Sequence, residues 1–268
     1  MNPEGSIRFV KAEANGNDFL IVDAAAVAPG QRSAFTRQIC DRHVGVGADG
    51  VEFVQPVGAG FDLALYNADG GEAEISGNGT RCVAAFYAMH GFRQGTLHTR
   101  AGERSARVLE GSGQRWTIEL DLGMPKLEAP ARLRVGERAV EATVLSMGNP
   151  QCVVFVPEFP ADWEAQGAAL ERHPHFPQRT NVEFVRVVDR HHLEVRIFER
   201  GVGPTHSSGT GSGAAAVAAM ASGRADSPVE VATPGGLQKV AWAGGEAQVK
   251  LVGPARVVAE GMYFWRGL

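Results

Sequence analysis

The sequence predicts an α+β fold made of two pseudo-symmetric, duplicated domains, each a β-barrel-like mixed sheet around a central apolar helix. Three observations predict it. The first is a pair of matching stretches. Ser76-Gly77-Asn78-Gly79-Thr80-Arg81 leads into an apolar run to Met89 and a stop at Gly91. Ser208-Gly209-Thr210-Gly211-Ser212-Gly213 leads into an Ala/Val run to Met220 and a stop at Gly223, 132 positions later at both ends (208 − 76 and 223 − 91). Each copy reads as a Ser-capped helix start closed by a C-terminal glycine. Both helices are apolar nearly all round and are expected at the centre of something.

The second observation is that the offset recurs. Gly16-Asn17 matches Gly148-Asn149, and Tyr66-Asn67 matches Phe198-Glu199. Val51-Glu52-Phe53-Val54 returns as Val182-Glu183-Phe184-Val185, and His98 to Gly102 faces Ala232 to Gly236. Five matches in one order at nearly one spacing point to duplication. The third observation is the supply of short apolar strand patterns, about eight per half, with turn residues between them.

Taken in order, Ile7 to Val10 reads as a strand, and Asn15-Gly16-Asn17-Asp18 turns the chain into a second, Phe19 to Val22. Ser33 to Asp41 has helical apolar spacing. A glycine-rich loop, Arg42 to Gly50, precedes the strand Val51 to Val54. Phe61 to Tyr66 alternates as a strand and is turned by Asn67 to Gly71, ahead of the first Ser-Gly-x-Gly helix. Strands follow at His98 to Thr99, Arg104 to Leu109 and Trp116 to Leu122. Met124 to Arg132, with Pro125 and Pro130, is the expected linker, which sets the domains at 1–125 and 126–268. The second half repeats the order: strands, the turn Met147 to Gln151, a helix within Pro160 to Glu171, the strand Leu193 to Phe198, the second Ser-Gly-x-Gly helix and terminal strands. The last strand, Met262 to Trp265, is free to cross back to the first domain.

Bulk properties exclude several functions. The net charge is −4 with no basic run, which argues against nucleic acid as a partner. No apolar stretch reaches a membrane span's length, and the N-terminus shows no secretory signal. Cys40, Cys82 and Cys152 are widely separated, which reads as free thiols in a reducing cytoplasm. Only four lysines occur and none lies in the turns, which argues against a pyridoxal phosphate site. Neither glycine-rich turn has the form of a P-loop or a dinucleotide fingerprint, and no metal motif is present. No cofactor and no metal are therefore expected.

A cleft between duplicated domains is expected to place similar groups on two sides of one small molecule. That suits a reaction in which one face loses a proton and the other gains one. Helix N-termini favour a carboxylate. The polar residues of the matched turns are mostly amides, Asn17, Asn67, Asn78, Asn149 and Asn181, which orient a zwitterion without charge. Glu199-Arg200 supplies both charges beside the second turn.

These residues resemble the diaminopimelate epimerase family. The resemblance spans nearly the whole chain: Gly16 to Phe19, Arg42 to Gly47, Tyr66 to Gly70, Gly77 to Cys82, Met147 to Pro150, Glu199 to Gly203 and Gly209 to Gly211. It implies a cofactor-independent isomerase that interconverts LL- and meso-diaminopimelate for lysine and peptidoglycan, often as a homodimer. It implies catalysis by two cysteines immediately before the Gly-Asn-Gly and Gly-Thr-Gly turns. This chain has Ser76 and Ser208 there, has Gln151 where the family usually has histidine, and has Gly50 where it often has glutamine. Glu199 matches the partner of one thiol. The expected site is thus Ser76, Ser208 and Glu199 for catalysis, with Asn17, Asn67, Gly77, Asn78, Asn149, Asn181, Arg200, Gly209 and Thr210 for binding. A divergent isomerase or dehydratase of the same fold, and a carboxylate-binding protein without turnover, are the alternatives.

Overall fold

The computed structural model describes residues 5–136, 138–265 and 267. Chain contacts divide it into two units, 1–120 with 253–268, and 121–252.

The first unit opens with β1 (Ser6–Ala14), which turns through Asn15 and Gly16, both at positive φ, into β2 (Asn17–Asp23). Helix α1 (Arg32–Ile39) follows. Then come β3 (Gly50–Val57), β4 (Gly60–Asn67) and the two-residue β5 (Glu72–Ala73). Helix α2 (Gly77–Ala88) precedes β6 (Gln94–Thr99), β7 (Gly102–Ser112) and β8 (Arg115–Gly123).

The second unit carries β9 (Lys126–Leu127), β10 (Ala131–Val135), β11 (Arg138–Ser146) and β12 (Pro150–Phe155). Helix α3 (Trp163–Glu171) leads to β13 (Asn181–Asp189), β14 (His192–Glu199) and β15 (Gly203–Thr205). Helix α4 (Gly209–Ala221) precedes β16 (Val229–Thr233), β17 (Gly236–Ala241) and the start of β18 (Val249–Phe264), whose residues from Gly253 onward belong to the first unit.

The two units repeat one pairing scheme. In the first, β2–β3 and β4–β6 are parallel, while β1–β2, β3–β4, β4–β5 and β6–β7 are antiparallel. In the second, β12–β13 and β14–β16 are parallel, while β11–β12, β13–β14, β14–β15 and β16–β17 are antiparallel. The first ring closes through β18, which pairs with both β1 and β8, to give an eight-stranded barrel.

The last strand is far longer than the four residues expected. Residues 250–252 pair with β17, and residues 256–264 pair with β1. The expected linker also differs. Met124 to Arg132 holds β9, paired with β11, and the first residues of β10.

In each unit the strands pack around the helix. α4 is buried at every residue from Gly209 to Ala219, because Gly and Ala let the strands approach closely on all sides. α2 is buried from Gly77 to Ala85. Outside each sheet lies a second apolar layer. Phe35 and Ile39 of α1 pack with Leu20, Val51, Phe53 and Trp265. Leu170 of α3 packs with Cys152, Val182, Phe184 and Phe176. β3 and β13 are therefore covered on both faces, which explains their near-continuous apolar runs.

Candidate active site

Both Ser-Gly-x-Gly turns form the helix starts expected of them. Ser76 caps α2, with its backbone extended and its Oγ accepting from Gly79 N–H at 3.0 Å. Ser208 caps α4 in the same way, accepting from Gly211 N–H at 3.3 Å. These are N-caps, stabilising the helix by about 1 kcal/mol each. Gly77 and Gly209 are the first helical residues, where backbone N–H groups lack intrahelical partners and the helix dipole is positive.

An amide network supports each turn. In the first unit, Asn17 Nδ2 donates to Asp49, and Asn17 Oδ1 accepts from Asn78 Nδ2 at 3.3 Å. Asn78 Oδ1 in turn accepts from Arg81 Nη2 at 2.8 Å. In the second unit, Gln151 Nε2 donates to Asn149 Oδ1 at 2.6 Å, Asn149 Nδ2 donates to Thr210 Oγ1 at 3.4 Å, and Thr210 Oγ1 lies 3.4 Å from Ser208 Oγ. The Asn17–Asn78 and Asn149–Thr210 bonds each join residues 61 apart. The duplication thus extends to individual side-chain contacts.

Other expected residues fall beside these networks. Asn181 Nδ2 donates to Pro150 O at 3.1 Å, and its Oδ1 accepts from Arg200 N–H at 2.9 Å, so it braces the Glu199-Arg200 turn. Glu199 closes that turn by accepting Val202 N–H at its carbonyl. Asn67 ends β4 opposite Gly50, and its backbone closes the turn through Gly70 and Gly71. Its side chain makes no hydrogen bond among the described residues. Gly50 has no space for a side chain: a Cβ there would meet Tyr66 O at 2.7 Å and the Phe19 ring at 3.3 Å.

The chemistry at Ser76 and Ser208 is hydroxyl chemistry. Burial pushes the Cys40 thiol up to about 12 and pushes Cys82 and Cys152 upward too, so none of the three offers a thiolate. Among the described residues the Ser76 hydroxyl bonds only to Gly79 N–H, and the Ser208 hydroxyl only to Gly211 N–H and Thr210. Hydrogen bonds of this kind favour an anionic oxygen.

Sequence reasoning missed three groups. Arg81 is fully buried in α2 and donates to Gly77 O, Asn15 Oδ1, Asn78 Oδ1 and Pro254 O, all neutral. Burial lowers its guanidinium to about 10, which leaves it charged near neutrality. The matching position in α4 is Gly213, so the two turns differ in charge. Glu52 and Glu183 are the other two. They are fully buried at equivalent places on β3 and β13, directly behind Gly79 and Gly211. Their signal was in the sequence, as one glutamate in the middle of each copy of an apolar strand.

Among the described residues no three His, Cys, Asp or Glu side chains converge on a metal-sized space. No helix among the described residues is long and apolar enough to cross a membrane.

The chain is similar to known proteins. The diaminopimelate epimerase family model matches residues 9–128 and 143–258. The chain is 39% identical over 280 residues to diaminopimelate epimerase 1 of Nostoc sp., covering 96% of this chain and 99% of that one. It is 41% identical over 275 residues to the diaminopimelate epimerase of Azoarcus sp., covering 95% and 98%. The structure of a hydroxyproline epimerase from Agrobacterium vitis shares the fold, with a TM-score of 0.75 at 15% identity over all of this chain and 94% of that one. Identity near two residues in five along nearly the full length of both chains reflects common descent in sequence as well as in fold: the chain belongs to the diaminopimelate epimerase family and is an isomerase.

Proposed function

We propose that the chain is a cofactor-independent amino-acid epimerase that interconverts LL- and meso-diaminopimelate on the route to lysine. The proton leaves Cα to a group at one turn and returns from a group at the other. The observation that carries this reading is the repeated unit of serine cap, helix start and supporting amide, with the Asn17–Asn78 and Asn149–Thr210 bonds at equivalent places. Helix N-termini hold the α-carboxylate and oppose the charge that develops on it. Asn17, Asn67, Asn78, Asn149, Asn181 and Arg200 orient the amino and carboxylate groups, and Gly77, Gly209 and Thr210 present the turns. Ser76 and Ser208 exchange the proton, with Glu199 as the base that serves the second turn. The reading carries with it a homodimer in the cytoplasm, and ultracentrifugation tests the assembly.

A second reading, a carboxylate-binding protein without turnover, is favoured by one observation. Among the described residues no carboxylate or imidazole bonds to either serine hydroxyl. A serine hydroxyl needs such a base to act as one itself.

Proton NMR with LL-diaminopimelate in heavy water separates the two. The proposal expects loss of the α-proton signal and growth of the meso isomer. Binding without exchange selects the second reading. Arg200→Ala is expected to weaken binding at least tenfold, and unchanged affinity would remove Arg200 from the site.

A further inference from the structure

Two carboxyl groups sit where the apolar core has no use for them. Glu52 and Glu183 occur at matching positions of β3 and β13, 131 apart (183 − 52), and both are fully buried. Among the described residues, Glu52 Oε1 and both carboxylate oxygens of Glu183 have no hydrogen-bond partner. Each aims at the last glycine of a Ser-Gly-x-Gly turn. Glu52 Oε1 occupies the place a Cβ on Gly79 would need, and Glu183 Oε1 lies 3.0 Å from the same point on Gly211. Gly79 and Gly211 are the residues whose N–H groups reach the serine caps.

The surroundings are apolar. Ile21 and Leu65 lie opposite Glu52 on the flanking strands, with the Phe19 ring against the same glycine. On α2 the ionisable groups are Tyr87 in the last turn, Cys82, whose thiol the Glu52 charge bears on together with Glu13 and Asp18, and Arg81, whose donors are committed to Asn15, Asn78 and two carbonyls. Val153 and Ile197 flank Glu183. α4 carries no ionisable side chain, Cys152 is the neighbouring thiol on β12, and Glu199 on β14 acts on Glu183 as a like charge. No cation is paired with either glutamate among the described residues.

An anion at a helix N-terminus and an anion directly behind it compete for one positive potential. We propose that Glu52 and Glu183 are positioning residues of the two turns, each required in its uncharged form for the helix start in front of it to hold the substrate's carboxylate. The proposal rests on the epimerase reading of the site. Burial supports it, since it pushes Glu52 up to about 8 and Glu183 well above the usual carboxylate range. By linkage, substrate binding must favour the protonated glutamates by the same factor that protonation favours binding.

The test combines carbon-13 NMR of glutamate-labelled protein with calorimetry of LL-diaminopimelate binding between pH 6 and 10. Glu52→Gln and Glu183→Gln assign the two carboxyl signals and keep the side-chain shape. The expected result is two neutral carboxyls at pH 7, titrations moved upward by diaminopimelate, and proton uptake on binding at pH 9. In the double Gln variant, affinity at pH 9 should rise about tenfold over the parent and the proton uptake should vanish. A merely structural role would leave proton uptake unchanged by the substitutions. Ionised glutamates at pH 7 overturn the proposal even where diaminopimelate binds. Titrations that saturating diaminopimelate does not move overturn it alone. Absence of binding heat at every pH overturns the epimerase reading and this proposal together.

Discussion

The Gln151 side-chain amide donates to Asn149 Oδ1 at 2.6 Å, and that bond decides which way Asn149 faces. With its oxygen engaged, Asn149 presents Nδ2 to Thr210, whose Oγ1 therefore accepts and whose proton is left for Ser208 Oγ. Gln151→Leu keeps the volume and removes the donor. The variant is expected to lose about 1 kcal/mol of stability in urea. Its α-proton exchange with diaminopimelate is expected to fall about tenfold, and unchanged exchange would show that Thr210 is oriented by something else.

Thiols at the two caps should wake the chemistry. Ser76→Cys and Ser208→Cys each place sulfur at a helix N-terminus, where thiol titration falls below the free value of about 8.5. Absorbance at 240 nm against pH should show it. The double variant is expected to exchange the α-proton at least about a hundredfold faster than the parent. Equal rates would indicate that the serines are not the exchanging groups.

Gly79→Ala should be costlier than Gly211→Ala. The added methyl meets the Glu52 carboxyl and, at 3.3 Å, the Phe19 ring, whereas at Gly211 it meets Glu183 Oε1 at 3.0 Å and Ile197 and Ser208 at 3.3 Å. Overpacking of this kind costs about 1–3 kcal/mol. Urea unfolding should rank the two, and shortening Glu52 to Ala in the Gly79→Ala background should restore part of the loss.

Glu52 also predicts how stability varies with pH. A carboxyl that titrates higher in the folded chain favours folding below its unfolded value and loses that contribution as pH rises through the folded one. For Glu52 the window runs from 4.5 to about 8. Each unit is worth about 1.4 kcal/mol. Glu52→Gln should therefore be little different from the parent near pH 4 and more stable at pH 8 and above. A constant difference across the window would mean that the carboxyl is not titrating there.

Much of this was legible in the residues. The starts of α2 and α4 were fixed by Ser76 and Ser208, because a serine before a glycine-rich helix start leaves few alternatives. Of β18 only the end, from Met262, was legible as a strand. Gly253-Pro254 reads as a break, yet the ladder to β17 ends at Val252 and the ladder to β1 begins at Arg256, so Pro254 falls where neither needs its N–H. Pro125 and Pro130 misled in the same direction, since short strands form on either side of them. In the site, the turns could be read but their supports could not. Nothing in a spacing of 61 says that Asn17 touches Asn78. A glutamate in an apolar strand faces water in most proteins, and only the helix above β3 and β13 shows that these two do not.

Arg81 in one copy and Gly213 in the other have a consequence for how such a molecule is inherited. A half-length chain that assembled with its own twin would be obliged to carry one residue in both copies, and any change would strike both at once. Tandem duplication within a single gene releases each copy to vary alone. One copy then keeps a buried cation while the other keeps only glycine.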